Sequence, residues 1–219
     1  MGFLDRFKKK NKQEEPFKMY LYSEKDYEIV EKTYDDKIGN YSTVFHEVAS
    51  LDLHLDVIPI PPSKEREYYT FITLGMGAYK MPVPDIYKRM NRAEIAIKLP
   101  KDWDLQSTDE KWYWPIRTIK TLARMPLYEN SWLGCYHDFD FGEPFTEETE
   151  LCGILLDFYD EKIEPITLEC GDQVIIYNVI PIYRSEMEYK NNNSAELLLE
   201  KMNKDTIYGP VDIHRKSVV

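Results

Sequence analysis

Residues 51–75 read LDLHLDVIPIPPSKEREYYTFITLG, and the division of this stretch decides the fold. Asp52, His54 and Asp56 alternate with Leu51, Leu53, Leu55 and Val57. Alternation of period two predicts a strand over 51–60 with two carboxylates and an imidazole in one row on a shared face. The double proline Pro61–Pro62 stops it, because proline cannot donate to a ladder. A second strand is expected at about 67–75, where EYYTFITLG is dense in aromatic and β-branched side chains.

Outward from this pair, Ser23 followed by Asp26 is a helix-start signal, and Tyr27, Val30 and Tyr34 recur at helical spacing before Gly39, which predicts a helix over 24–38. RAEIAIKLP at 92–100 sets Ala93, Ile95, Ile97 and Leu99 against Glu94, Ala96 and Lys98, the pattern of a third strand. Pro115 suits the first turn of a helix whose stripe is Ile116, Ile119, Leu122 and Ala123, with Pro126 beyond its end. Further strands are expected at 132–137, 151–159, 164–169 and 173–183, the last two joined by a turn at Gly171 and Asp172. Ser194 caps a final helix carrying Leu197, Leu198 and Met202. Strands outnumber helices and their connections are too short for a regular βαβ repeat. The expected architecture is α+β: a mixed, largely antiparallel sheet flanked by helices in a single domain over 18–219, preceded by a basic, loosely ordered tail over 1–17.

The composition narrows the function classes. The 219 residues carry 39 acidic and 28 basic side chains, a formal net charge of -11. Such a chain repels phosphate backbones and anionic lipid heads, so neither nucleic acid nor a stable membrane association is expected, whereas a basic protein partner is attracted. The first twelve residues hold five positive charges with Phe3, Leu4 and Phe7, but Arg6 stands where a myristoylation signal wants Ser or Thr. The run VIIYNVIPIY at 174–183 is too short to span a bilayer. Three cysteines, Cys135, Cys152 and Cys170, form no CxxC pair and are odd in number, which points to a reduced, cytoplasmic setting.

The Asp52, His54, Asp56 row and a second patch at His137, Asp138 and Asp140 offer metal-ligand types, but one strand cannot close a site that needs three or four converging ligands. GMGAYK at 75–80 lacks the third glycine of the dinucleotide fingerprint and the ending of a phosphate loop, and so reads as a turn needing backbone freedom. No G-x-S-x-G elbow is present, and Cys135 with His137 has no orienting third group. No catalytic residue, metal site or cofactor is expected.

Several stretches, taken in order, resemble the suppressor-of-fused-like (SUFU) family in its bacterial single-domain form. LHLDVIPIPPSKEREYYTFITLGMGAYKMPVP is similar to the family's opening pattern, with His54, Asp56, Pro61, Thr73, Gly75, Met76, Met81 and Pro82 at the matching positions. RAEIAIKLPKDW contributes Ala93, Glu94, Leu99, Pro100 and Trp103, and WPIRTIKTLARMP resembles the helix that follows. FGEPFTEETELCGILL and VIIYNVIPIYRSEMEYK look like later strands, and DIHRKSVV is similar to the closing segment, through Arg215. Two departures stand out: Gly75-Met76-Gly77 where many members show Gly-Met-Ser, and Cys135-Tyr136-His137-Asp138 in place of a Gly-His-Thr-like step. The additional C-terminal partner-binding region of the animal protein is expected to have no counterpart.

The resemblance implies a non-enzymatic protein-binding domain, and bacterial members are regarded as immunity proteins that neutralise toxins. On that reading the partner is another protein, a basic toxin being the leading expectation, and acidic residues steer it while aromatic residues anchor it. The expected contacts are Asp138, Asp140, Glu143, Glu147 and Glu148, in a loop-like acidic stretch. The rival readings are a metal-dependent hydrolase using the two Asp/His patches and a general interaction module with no toxin.

Overall fold

The computed structural model describes residues 19–47 and 52–219. The proposed tail over 1–17 and Leu51 lie outside the described residues. Seven strands form one sheet: β1 (Asp56–Ile60), β2 (Tyr68–Leu74), β3 (Arg92–Pro100), β4 (Asp138–Asp140), β5 (Gly153–Phe158), β6 (Ile166–Thr167) and β7 (Gln173–Ile182). Their order is β1-β2-β3-β7-β5-β4, with β6 also paired to the start of β7. All neighbours are antiparallel except β3 and β7, which run parallel in the register Ala93↔Ile175 and Ala96↔Asn178. The sheet is therefore mixed and flanked by helices, as the α+β expectation has it.

Helices cover both faces, which explains why the central strands read as nearly unbroken apolar runs. α1 (Glu24–Lys37) begins where Ser23 Oγ accepts from Asp26 N–H at 3.1 Å and ends at Ile38, followed by Gly39. Its Val30 and Tyr34 pack with Ile58, Ile60, Ile72 and Leu74, and the Tyr34 hydroxyl donates to the Thr73 carbonyl at 2.7 Å. On the opposite face, α2 (Glu110–Glu129) sets Trp114, Ile119, Leu122 and Ala123 against Val57, Phe71, Ile95 and Ile97. α3 (Arg184–Asn192), α4 (Ala195–Lys201) and α5 (Lys204–Tyr208) enclose Leu155, Ile180 and Ile182 with Met187, Leu198, Met202 and Ile207.

The structure corrects several boundaries. Regular pairing of β4 begins only at Asp138, not over 132–137. Tyr136 takes a left-handed conformation (φ 68°), so its N–H donates to the Leu156 carbonyl while Leu156 N–H returns to His137, two residues facing one as in a bulge. The ladder of β1 starts at Asp56, and Leu53 makes only a single bridge, to Tyr20. The strand expected over 164–169 shrinks to the two residues of β6. Asp109, not Pro115, starts α2: its carboxylate accepts from Lys111 N–H at 3.0 Å. Pro115 and Pro126 both sit inside the helix. Each interior proline costs about 3 kcal/mol of intrinsic helix preference, an expense offset by packing of the buried Trp114, which stacks on Phe145 at 4.7 Å. α3 and α5 were not anticipated, since RSEMEYKNN and KDTIY carry almost no apolar periodicity.

The polar half of β3 is not wet. Glu94 is fully buried and Lys98 is 4% exposed, both facing the α1 side of the sheet. The Lys98 ammonium lies 4.6 Å from the centre of the Tyr159 ring and 3.4 Å from its carbonyl oxygen. Burial pushes its pKa down to about 8, against the pull of Asp160 and Asp157. A base whose folded pKa is depressed stabilises the fold only above its unfolded value, and that contribution is lost as the pH falls through the folded one. At pH 7 the charged lysine is thus a burden, and Lys98→Met is expected to raise stability by about 1–3 kcal/mol. Urea denaturation checks this: the advantage of the variant should shrink as the pH rises from 8 toward 10, and a variant less stable at pH 7 contradicts the assignment.

Candidate functional site

The structure divides the five acidic residues singled out from the sequence into two groups. Asp138 and Asp140 lie on β4, an edge strand, where cations from α3 already answer them: Lys190 pairs with Asp138 and Arg184 with Asp140. The Gly142 N–H, then the Arg184 guanidinium, hold the Asp140 carboxyl below the usual carboxylate range. Glu143, Glu147 and Glu148 go elsewhere, into a groove of about 1000 Å³ between the loop 143–150 and the start of α2.

That groove gathers carboxylates from two distant parts of the chain. Asp109 and Glu110 open α2, and Glu150 closes the loop facing them, so six carboxylates line it together with only two cations, Lys111 and Arg117. Both cations are committed to carboxylates at the surface, Lys111 to Glu148 at 2.8 Å and Arg117 Nε to Glu110 at 2.7 Å. Exposed pairs of this kind contribute about 0–1 kcal/mol each and exchange readily. The loop is held from below by Phe145, buried against Trp114 and Phe141, and by Thr149, whose hydroxyl donates to the Ile213 carbonyl at 2.7 Å.

Of the row that opens the sequence stretch, Asp56 alone is buried, while the His54 side chain stays 43% exposed. Asp56 is buried and accepts from Glu47 N–H at 3.2 Å, with His46 Nδ1 at 3.1 Å and His54 Nε2 at 3.7 Å. Burial alone would raise the pKa of Asp52, but the Tyr128 hydroxyl, the Leu53 N–H and Arg124 hold it below the usual range. The second Asp/His patch stands on β4, at the other end of the strand order from β1. Five strand spacings put them about 24 Å apart, so the two patches do not meet. Among the described residues no group of three or more His, Cys, Asp and Glu is placed to hold a metal ion. Cys135 turns its thiol toward Asp157 Oδ1 at 3.4 Å, and burial, then Asp157, pushes its pKa up to about 12. His137 packs instead against the Trp132 ring at 4.4 Å.

The family model described as Suppressor of fused protein (SUFU) matches residues 52–216. The chain belongs to the suppressor of fused family. It is 26% identical over 208 residues to uncharacterized protein UU111 of Ureaplasma parvum serovar 3, covering 91% of this chain and 98% of that protein. Among solved structures it is similar to a suppressor of fused homolog from Neisseria gonorrhoeae, with a TM-score of 0.65, 20% identity, and coverage of 89% of this chain and 97% of the other. A chain of the Sufu–Fu complex crystal structure gives 0.64 at 12% identity, covering 88% of this chain and 90% of that one. Drosophila Suppressor of Fused gives 0.59 at 13% identity, where the match spans 88% of this chain but 50% of that one.

Two buried carboxylates whose structural role sequence reasoning did not assign organise this suppressor of fused fold. Glu94 fills the turn that superficially resembles a phosphate loop. Its Oε1 accepts from Gly75 and Gly77 N–H, each at 3.0 Å, and from the Tyr22 hydroxyl at 2.8 Å, while its Oε2 accepts from Thr73 Oγ1 at 2.6 Å and Met76 N–H at 3.3 Å. The turn is a nest of backbone N–H groups, and the carboxyl that fills it is the chain's own. Gly75 makes it possible: with φ 126°, an added Cβ would meet the His54 carbonyl oxygen at 2.1 Å. Glu186, on α3, is the other. Arg215 grips its two oxygens at 2.6 Å each, and the N–H groups of Tyr183 and Val218 complete its shell. Both glutamates lie in stretches that carry the family resemblance, but the groups that bury them come from 17 to 72 residues away for Glu94 and from Arg215 and Val218 for Glu186, so their roles were not legible locally.

Proposed function

We propose that this chain is a non-enzymatic protein-binding module, an immunity protein that neutralises a basic toxin by docking over its active face. The observation that carries this reading is the groove in which Glu143, Glu147 and Glu148 join Asp109, Glu110 and Glu150 on a chain of net charge -11. Membership of a family with a member crystallised as the Sufu–Fu complex supports a binding role. The field of such a groove raises the encounter rate with a basic surface and weakens with salt. Asp138 and Asp140, neutralised by Lys190 and Arg184, contribute less to that field than the groove carboxylates do.

The test uses the protein encoded beside this one as the partner, with its toxicity scored in cells and its association followed by surface plasmon resonance at low and high salt. The triple substitution Glu143→Lys, Glu147→Lys, Glu148→Lys should slow association at low salt by about tenfold or more and flatten the salt dependence. Dissociation should change little. Unchanged kinetics would remove the groove, and turnover of a substrate by the pure protein, abolished by a single ionisable substitution, would overturn the non-enzymatic reading.

A further inference from the structure

The acidic groove does not end at Glu148. A second cavity of about 260 Å³ adjoins it, sharing Lys111 and Glu148 with the first and bounded by Pro100, Trp103, Trp112 and the segment 211–214. Its chemistry differs. The half-buried Trp112 crosses the Trp103 ring at 5.0 Å and 85°, and Trp103 Nε1 donates to the Trp112 carbonyl at 3.0 Å, so the aromatic wall is fixed from behind. Asp102 and Asp212 add two carboxylates to the six of the first compartment, with His214 beside them. The Lys111–Glu148 pair lines both compartments, and its side chains are 42% and 43% exposed.

We infer that these two compartments form one continuous track for an extended basic segment of the partner protein, with an apolar side chain seated against Trp112 and Trp103 and Lys or Arg side chains along the carboxylates. This rests on the protein-binding reading above and names the part of the partner that is grasped. Charge complementarity selects the occupant: a carboxylate-lined trench with an aromatic end repels acidic segments and leaves an uncharged one without ionic partners. An aromatic pocket surrounded by a charged rim is the arrangement in which a few anchors carry most of the binding energy. The Lys111–Glu148 pair opens at little cost, and an incoming lysine or arginine replaces Lys111 on Glu148. The Thr149–Ile213 hydrogen bond ties a lining residue of one compartment to a lining residue of the other, so the track is a property of the folded loop and the C-terminal segment together.

A fluorescein-labelled peptide, KKRFLKKR, tests the track on the full-length protein by fluorescence anisotropy, with KKRGGKKR and EEDFLEED as controls. The expected result is saturable, salt-sensitive binding of the first peptide, at least fivefold weaker binding of the glycine control, and none of the acidic one. Trp112→Ala should weaken the first peptide about as much as the glycine control does, and Glu110→Lys with Glu147→Lys should weaken it tenfold or more, with unfolding curves confirming that both variants fold. Absence of saturable binding, or binding indifferent to Trp112→Ala, overturns the inference. Binding that emerges only after Lys8→Gln, Lys9→Gln and Lys10→Gln assigns the track to the chain's own basic N-terminal segment and overturns it equally. Should the neighbouring protein bind with kinetics sensitive to Glu143, Glu147 and Glu148 while the peptide results fail, the docking function stands and the track alone is lost.

Discussion

Replacing Glu94 by Gln is expected to lower the unfolding free energy by about 2–3 kcal/mol, and replacing it by Ala by about 4–5 kcal/mol. Five donors converge on this carboxylate, and three of them are backbone N–H groups that cannot turn away. A carboxamide places its own N–H₂ against one set of those donors, and alanine leaves the three backbone N–H groups and the Tyr22 hydroxyl buried without an acceptor, Thr73 keeping only the Ile95 carbonyl at 3.4 Å. The pH dependence gives a second readout. Burial pushes the pKa of Glu94 up to about 7, while the Thr73 hydroxyl, the Gly77 and Gly75 N–H groups and the Tyr22 hydroxyl pull it down. An acid whose folded pKa is raised stabilises the fold fully below its unfolded value and loses that contribution as the pH climbs through the folded one. Wild type should therefore weaken between pH 5 and pH 8, whereas Glu94→Gln carries no titration at this position. The gap between them should narrow over that window when urea unfolding is repeated at each pH. Equal stability of wild type and Glu94→Gln at every pH would show that the nest does not depend on a carboxyl group.

That expectation also marks how far the sequence can be read. The period of two in RAEIAIKLP located β3, because Ala93, Ile95, Ile97 and Leu99 do face α2. It could not say that the other face was equally dry. Glu94 and Lys98 appear as the wet side of a strand only while nothing is known to lie above them, and what lies above them comes from Tyr22, Tyr34 and Tyr159, up to 72 residues away in the chain. The same cause split the candidate site. Proximity in sequence places Glu143, Glu147 and Glu148 along one groove, since one loop carries them. Asp138 and Asp140 looked equivalent until Arg184 and Lys190 arrived from α3, a helix with too few apolar residues to declare itself. Asp109 and Glu110 carry no local signal of a site, because the loop they face is more than thirty residues further on. Local periodicity is written along the chain, but charge pairing is settled by the tertiary fold that brings distant elements into contact.

The C-terminal clamp should respond as sharply as the nest. Arg215→Ala is expected to cost about 3–5 kcal/mol, because it leaves the fully buried Glu186 carboxylate with two N–H donors and no counter-charge. Arg215 also donates to the Pro181 carbonyl at 3.0 Å and lies 5.0 Å from the centre of the Tyr183 ring, so its planar fork is held on every side. Arg215→Lys keeps the charge but cannot span both carboxylate oxygens, and should recover less than half of the loss. The double substitution Glu186→Leu with Arg215→Met removes the buried charges together and should be more stable than Arg215→Ala, separating loss of the ion pair from loss of packing. Function supplies the decisive contrast. The segment Arg215 secures includes Val211, Asp212, Ile213 and His214, one wall of the aromatic compartment. Freed from Glu186 the segment frays, and peptide binding should fall in Arg215→Ala even at temperatures where the protein remains folded. The double variant, which retains a folded core but no clamp, should bind as weakly. If Arg215→Ala unfolds within about 1 kcal/mol of wild type and binds KKRFLKKR unchanged, the ion pair neither holds the segment nor shapes the track. If the double variant regains stability without regaining binding, the buried pair is kept for positioning that wall.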